Sequence, residues 1–293
     1  MILDWLRRTL PAGWRLAIRR QPWVDAALKS MIRRRQQRPH PHCGCELAFD
    51  GHRCVGWATG GLPTWERDYF LACGKLFSWL KPSIVWDIGA NVGVWSLYFA
   101  DAFDFVVTVV AYEPDLFNLA ILEENIRSNS LEKIIRVRPV ALSNVVGEAT
   151  FSVDAFTGST GTLEDGESFV TKQYGRPTDP ALVPVSTVDN ELIAHAPAPM
   201  FVKIDVEGHE WAVLRGAERL IREYRPILMI EFSGERQVDA FAFLQSHGYA
   251  MLRPTTGEIA ERPEFELIAV PNERVSQARS VLGWAPTSRD GAV

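Results

Sequence analysis

Four apolar runs in this sequence each end in a carboxylate. Ile84-Val85-Trp86 leads to Asp87, Phe105 through Tyr112 to Glu113, Phe201-Val202-Lys203-Ile204 to Asp205, and Pro226 through Ile230 to Glu231. Carboxylates accept hydrogen bonds from hydroxyl and ammonium groups, and a well-placed one can take a proton from a nucleophile. A single acid after a strand is often a helix cap. Acids in four successive units imply instead that the carboxyl ends of the strands line one crevice, where open α/β sheets bind their ligands. Glu207 and His209 follow Asp205 closely, and histidine is the side chain whose unperturbed form changes charge near neutral pH. Glu207 is the expected base or hydroxyl orienter, with Asp205 organising the site, Glu231 behind it and His209 as a further proton acceptor. Glu210 reads as an acid favoured by the dipole of the next helix. No metal is expected. If Asp205 and Glu231 converged on a divalent cation, however, the metal would replace the side-chain base.

The first of these acids opens a tight turn, Asp87-Ile88-Gly89-Ala90-Asn91-Val92-Gly93. Gly89 and Gly93 let the backbone approach a ligand and the following helix closely. Asn91 stands where a dinucleotide fold carries its middle glycine, and Asn tolerates the left-handed conformation such a turn needs. Glu113 stands 20 residues after Gly93, the distance at which an acid on the second strand meets a ribose diol. Two acids at strand tips suit a nucleoside-bearing cofactor better than a pyrophosphate. Ala141, Leu142 and Ser143 leave the third strand where an adenine would lie.

These residues need a sheet to hold them. Strand, turn and helix repeat from Ile84 onward, as in a doubly wound sheet. The third strand is expected within 134–143, the fourth at Phe201–Asp205, the fifth at 226–232, the sixth at Tyr249–Leu252 and the seventh at Phe265–Val270. No helix separates the last two, so the seventh strand should run antiparallel. A helix is expected from Thr64 to Leu80, and a long acceptor-binding loop between Gly158 and Pro184, after a short strand at Ala149–Val153.

Asp87-Ile-Gly-Ala-Asn-Val-Gly93, Glu113-Pro114 and Lys203-Ile-Asp-Val-Glu-Gly-His-Glu210 together resemble the FkbM-type family of S-adenosylmethionine-dependent methyltransferases, over roughly residues 65–271. The resemblance implies an α/β fold, a doubly wound seven-stranded sheet of the class I (Rossmann-like) methyltransferase type. It also implies S-adenosylmethionine as cofactor, held by Asp87, Gly89, Asn91, Gly93, Glu113, Ala141, Leu142 and Asp205. The usual reaction is O-methylation of a sugar, glycan or other natural product. Two other readings compete: a nicotinamide-dependent oxidoreductase, disfavoured by the missing middle glycine and by the lack of an evident hydride-transfer pair, and a non-catalytic membrane-docked binding module.

At 293 residues, 47% hydrophobic and 23% charged, the chain is long enough for one large domain with appendages. The expected division is a basic helical extension and Cys/His-containing linker at 1–63, the methyltransferase domain at 64–283 and a frayed tail at 284–293. Residues 1–38 hold ten Lys or Arg against two acids, a net +8 that leaves −13 on the remainder. Residues 2–37 read as helix broken near Pro11 and Pro22, with Trp5, Leu6, Trp14 and Trp23 among arginines; the prolines favour a helical extension packed on the domain or a solvated basic arm, and the alternative is peripheral contact with anionic membrane. His40, His42, Cys43, Cys45, His52 and Cys54 are ligand types for zinc, but their spacing fits a turn-rich linker with a short hairpin around Asp50-Gly51 better. No signal peptide is evident and all four cysteines fall in the first quarter, so a reducing, cytoplasmic setting is expected. The expected partners are a small-molecule or glycan acceptor and no nucleic acid; nothing in the sequence speaks to oligomeric state.

Overall fold

A computed structural model describes residues 22–55, 57–58, 62, 66–154, 160–163, 171, 178–194, 196–233 and 235–283. Helix α1 (Pro22–Met31) leads into a hairpin of β1 (Arg35–Pro39) and β2 (Glu46–Asp50). Helix α2 (Arg67–Leu80), β3 (Ile84–Ile88), α3 (Val94–Asp101), β4 (Thr108–Tyr112), α4 (Leu116–Ser128) and β5 (Ile135–Arg138) form the first half of the domain. β6 (Ala141–Ser143), β7 (Gly147–Val153), β8 (Asp179–Thr187) and α5 (Val188–Ala194) intervene. The second half comprises β9 (Phe201–Ile204), α6 (Glu210–Arg215), a π-helical turn (Leu220–Tyr224), β10 (Ile227–Glu231), α7 (Gln237–Ser246), β11 (Tyr249–Leu252), β12 (Glu266–Pro271) and α8 (Val275–Leu282).

The main sheet has seven strands in the order β11-β12-β10-β9-β3-β4-β5. β9 and β10 run parallel to β3, β4 and β5, and β12 is antiparallel to both its neighbours. This is the expected class I arrangement. Its winding reverses between β3 and β9, so the Gly89 turn and Asp205 meet at the switch point. Central strands covered on both faces must be apolar throughout, and Val85, Trp86, Ile88, Val109, Val110 and Ala111 are all 1% exposed or less. On one face Phe77, Phe99 and Phe201 pack ring against ring, with centroids 4.9–5.9 Å apart. On the other, Trp86 and Tyr112 pack with Val213, Leu220 and Phe241.

Several sequence expectations are corrected. The helix expected to run to residue 37 ends at Met31, because residues 35–39 pair with β2; residues 1–21 lie outside the described residues. The hairpin turns at residues 40–45 rather than at Asp50-Gly51. Its inner face is core: Leu47 is fully buried, and Asn125 of α4 holds the Ala48 N–H and C=O at 2.7 and 3.0 Å. The single run expected from 134 to 143 is two strands. Pro139 has no N–H for the ladder, so β5 stops at Arg138 and β6 joins a second sheet, β6-β8-β7. The expected loop to Pro184 contains the start of β8 at Asp179, while residues 155–159, 164–170 and 172–177 lie outside the described ones. α2 begins at Arg67, after Glu66 takes a left-handed conformation at φ 47°. Among the described residues no helix is long and apolar enough to cross a membrane.

Candidate functional site

The turn after β3 takes the backbone its residues permit. Gly89, Asn91 and Gly93 have φ of 83°, 52° and 94°. Gly89 and Ala90 both donate N–H to the Tyr112 carbonyl, at 3.0 and 2.9 Å, which ties the turn to the end of β4. A Cβ on Gly89 would stand 1.8 Å from the Asp205 carbonyl oxygen, so only glycine lets β3 and β9 close at this edge. Gly93 makes room instead for the Leu122 side chain of α4.

Glu113 completes this wall. Its Oε2 accepts the Asn91 N–H at 2.8 Å and its Oε1 accepts the Asp115 N–H at 2.9 Å. Each oxygen keeps a further lone pair for a ligand hydroxyl. Burial pushes its pKa up to about 8, against the pull of these two donors. Asp87 is fully buried. Its Oδ2 accepts the Ser96 hydroxyl at 2.6 Å, its Oδ1 has no hydrogen-bond partner, and burial raises its pKa.

The opposite wall is the end of β9 and the turn beyond it. Lys203 and Asp205, two apart, share a face of the strand, and Lys203 Nζ donates to Asp205 Oδ2 at 2.8 Å. Burial alone would lower the Lys203 pKa, but Asp205, Asp87 and Glu66 around it raise it overall. Glu207 precedes the helix, which starts only at Glu210. It sits in a left-handed turn at φ 53°, followed by Gly208 at φ 102°. A side chain held in that sparse region is a feature of functional turns. Glu210 is the helix-start acid expected: Oε1 accepts the Gly208 N–H at 2.8 Å, and it is 1% exposed. Carboxylate oxygens of Asp205, Glu207 and Glu231 lie within 4.8 Å of one another, as do those of Glu66, Glu231 and Glu266. Burial first, and then the neighbouring Asp205 charge, raises Glu207 well above the usual carboxylate range and brings Glu231 to about 10. Burial also pushes Glu66 up to about 8.

His209 Nε2 is 2.8 Å from Ser143 Oγ at the end of β6. That contact depends on close packing of α6 on β6, where a Cβ on Gly216 would stand 2.0 Å from the Ser143 carbonyl. Ser143 therefore orients the His209 ring.

Between the walls lies a cavity of about 310 Å³, of a size that suits a small-molecule site. Of the residues expected to bind or react, Gly89, Asn91, Glu113, Ala141 and Leu142 line it on one side, and Asp205, Glu207, His209 and Glu231 on the other. Asp87 and Gly93 stand behind the turn and do not line it. The sequence reading missed Glu66, Lys203, Trp95 and Phe265, which also line the cavity. Glu66 was hidden inside an expected helix; Trp95 Nε1 donates to its Oε2 at 2.7 Å. The i, i+2 spacing of Lys203 and Asp205 was the available signal for Lys203.

The model of the Methyltransferase FkbM domain matches residues 87–251, more than half of this chain. Among solved structures, the chain is similar to the methyltransferase FkbM from Methylobacillus flagellatus KT, at 21% identity and a TM-score of 0.41 over 64% of this chain and 43% of that one. It is also similar to an O-methyltransferase from Bacillus cereus in complex with SAH, at 11% identity and a TM-score of 0.41 over 70% of this chain and 81% of that one. A third is the precorrin-6y C5,15-methyltransferase from Geobacter metallireducens GS-15, at 13% identity and a TM-score of 0.36, covering 64% of this chain and 76% of that one. The chain spans less than half the length of the first of these. No curated protein matches the sequence.

Proposed function

Because the chain belongs to the methyltransferase FkbM family, we propose that it transfers the methyl group of S-adenosylmethionine to a hydroxyl of a sugar, glycan or other natural product. The observation that carries this reading is the cavity shared by the Glu113 turn and the Asp205–Glu207–Glu231 cluster. The residues fit the cofactor. Glu113 has lone pairs for the ribose hydroxyls, Ala141 and Leu142 offer an apolar edge for the base, and Asp205 offers a carboxylate to the amino group. When bound, S-adenosylmethionine supplies an already activated sulfonium methyl.

The chain must therefore hold the acceptor oxygen in line and remove its proton. We assign the proton to Glu207. It lines the cavity from a left-handed turn, and because burial raises its pKa, its carboxylate is, when ionised, a stronger base than an exposed one. Ser143 steadies His209 beside it. Glu231 and Glu66 can bind further acceptor hydroxyls.

A metal-assisted version is a second reading, favoured by the three carboxylates within 4.8 Å of one another. The two versions separate in one experiment, transfer of labelled methyl from S-adenosylmethionine to a panel of sugar and glycan acceptors. With Glu207 as base, Glu207→Gln keeps cofactor affinity, loses about 10²–10⁴-fold in turnover, and EDTA has no effect. Full activity in Glu207→Gln, with abolition by EDTA, would assign the step to a metal.

A further inference from the structure

The loop joining β1 to β2 brings together a side-chain group that the cavity does not use. Cys43 Sγ, Cys45 Sγ and a carboxylate oxygen of Asp101 all lie within 4.8 Å of one another. A tetrahedral centre with zinc–sulfur and zinc–oxygen bonds of ordinary length needs its ligand atoms about 3.5–3.8 Å apart, a small contraction from this arrangement. We propose that Cys43, Cys45 and Asp101 bind a thiophilic divalent cation of the zinc class, with solvent completing the coordination.

The backbone already holds the ligands in place. His40 N donates to the Cys45 carbonyl at 2.8 Å, closing the loop. Gly44 N donates to Asp101 Oδ2 at 2.7 Å, which fixes the carboxylate at the end of α3 against the loop. The two sulfurs lie within 4.8 Å of each other and of the carboxylate oxygen, so they face one point and do not splay apart. Cys45 is buried, Cys43 half-buried and Asp101 exposed, which leaves one open side for the cation and its water. His40 is not a ligand. Its Nδ1 accepts the His42 N–H at 3.1 Å, so Nε2 carries the proton and donates to the Val94 carbonyl at 2.9 Å. Two thiolates and a carboxylate select zinc-like ions over magnesium or calcium. The bound ion would brace the hairpin against α3, the helix that leaves the Gly89–Gly93 turn.

The test is a titration of the reduced full-length protein with Co²⁺, followed by displacement with Zn²⁺. One equivalent of Co²⁺ should give a thiolate-to-metal charge-transfer band, Zn²⁺ should abolish it, and Zn²⁺ should raise Tm. Cys43→Ser and Cys45→Ser should each weaken binding at least about 100-fold, and Asp101→Asn about 10-fold. Cys54→Ser is the control and should change nothing. No thiolate band in the wild-type protein at one equivalent would overturn the site, whether the two cysteines prove to be free thiols or a disulfide. A band that survives both cysteine substitutions would overturn it too. Should either variant fail to fold, the wild-type titration decides alone.

Discussion

Glu113 binds the backbone N–H groups of Asn91 and Asp115 and still faces the cavity with spare lone pairs. Glu113→Ala removes a buried hydrogen-bond partner from the ligand and should weaken S-adenosylhomocysteine binding by about 1–3 kcal/mol, read by calorimetry. NAD should not bind either protein; tight NAD binding without S-adenosylhomocysteine binding would overturn the cofactor assignment. Glu66 gives a prediction in pH. Its pKa rises from 4.5 in an exposed chain to about 8 in the fold. An acid with a raised folded pKa contributes stability that is fully present below the unfolded value and lost as pH rises to the folded one. Tm should therefore fall between about pH 5 and pH 8, and Glu66→Gln, which cannot ionise yet can still accept from Trp95 Nε1, should make that slope shallower, the remainder coming from the other buried acids. An unchanged slope would mean that Glu66 is ionised throughout.

At the scale of elements, the site depends on close approaches between backbone segments. The β3 turn touches the end of β9, and α6 touches β6. Gly89→Ala adds a Cβ that meets the Asp205 carbonyl and strains a φ of 83°. It should cost more than about 3 kcal/mol in denaturant unfolding and lose cofactor binding with it. A stable, binding-competent Gly89→Ala protein would show that β3 and β9 can separate at this edge. Asn125 is the matching device on the other side of the turn. It holds the Val92 carbonyl at 2.8 Å as well as Ala48 of the hairpin. Polar groups this buried cost stability unless all are paired, so the network couples the hairpin to the cofactor turn.

At the scale of the whole molecule, the charge division persists: a basic N-terminal segment precedes an acidic α/β body. We propose that the segment gives weak attachment to anionic membrane, where a glycan or lipid-linked acceptor could be met. The fold says where to cut. A chain beginning at Arg38 would break β1, whereas one beginning at Arg33 leaves the β1–β2 hairpin whole. In flotation with anionic liposomes, the full chain should bind in a salt-sensitive way and the chain beginning at Arg33 should not. Equal flotation of the two would remove the membrane role.

The order of strands, the acids at their tips and the turn at Gly89–Gly93 were legible in the sequence because each is a local pattern. Apolar runs stop at an acid, glycine marks positive φ, and period and length separate strand from helix. These patterns suffice to put Glu113, Asp205, Glu207 and Glu231 on one edge. Pairing partners are not local. Residues 35–39 are as suited to helix as to strand until β2 lies beside them. Residues 179–187 become strand through pairing with β6 and β7. The tertiary structure alone decided that Glu66 and Trp95 reach the cavity, that Asp87 turns away from it into the core, and that Ser143 meets His209 across 66 residues. Such contacts depend on how two distant segments pack, and burial then moves the pKa values that decide which acid can act as base.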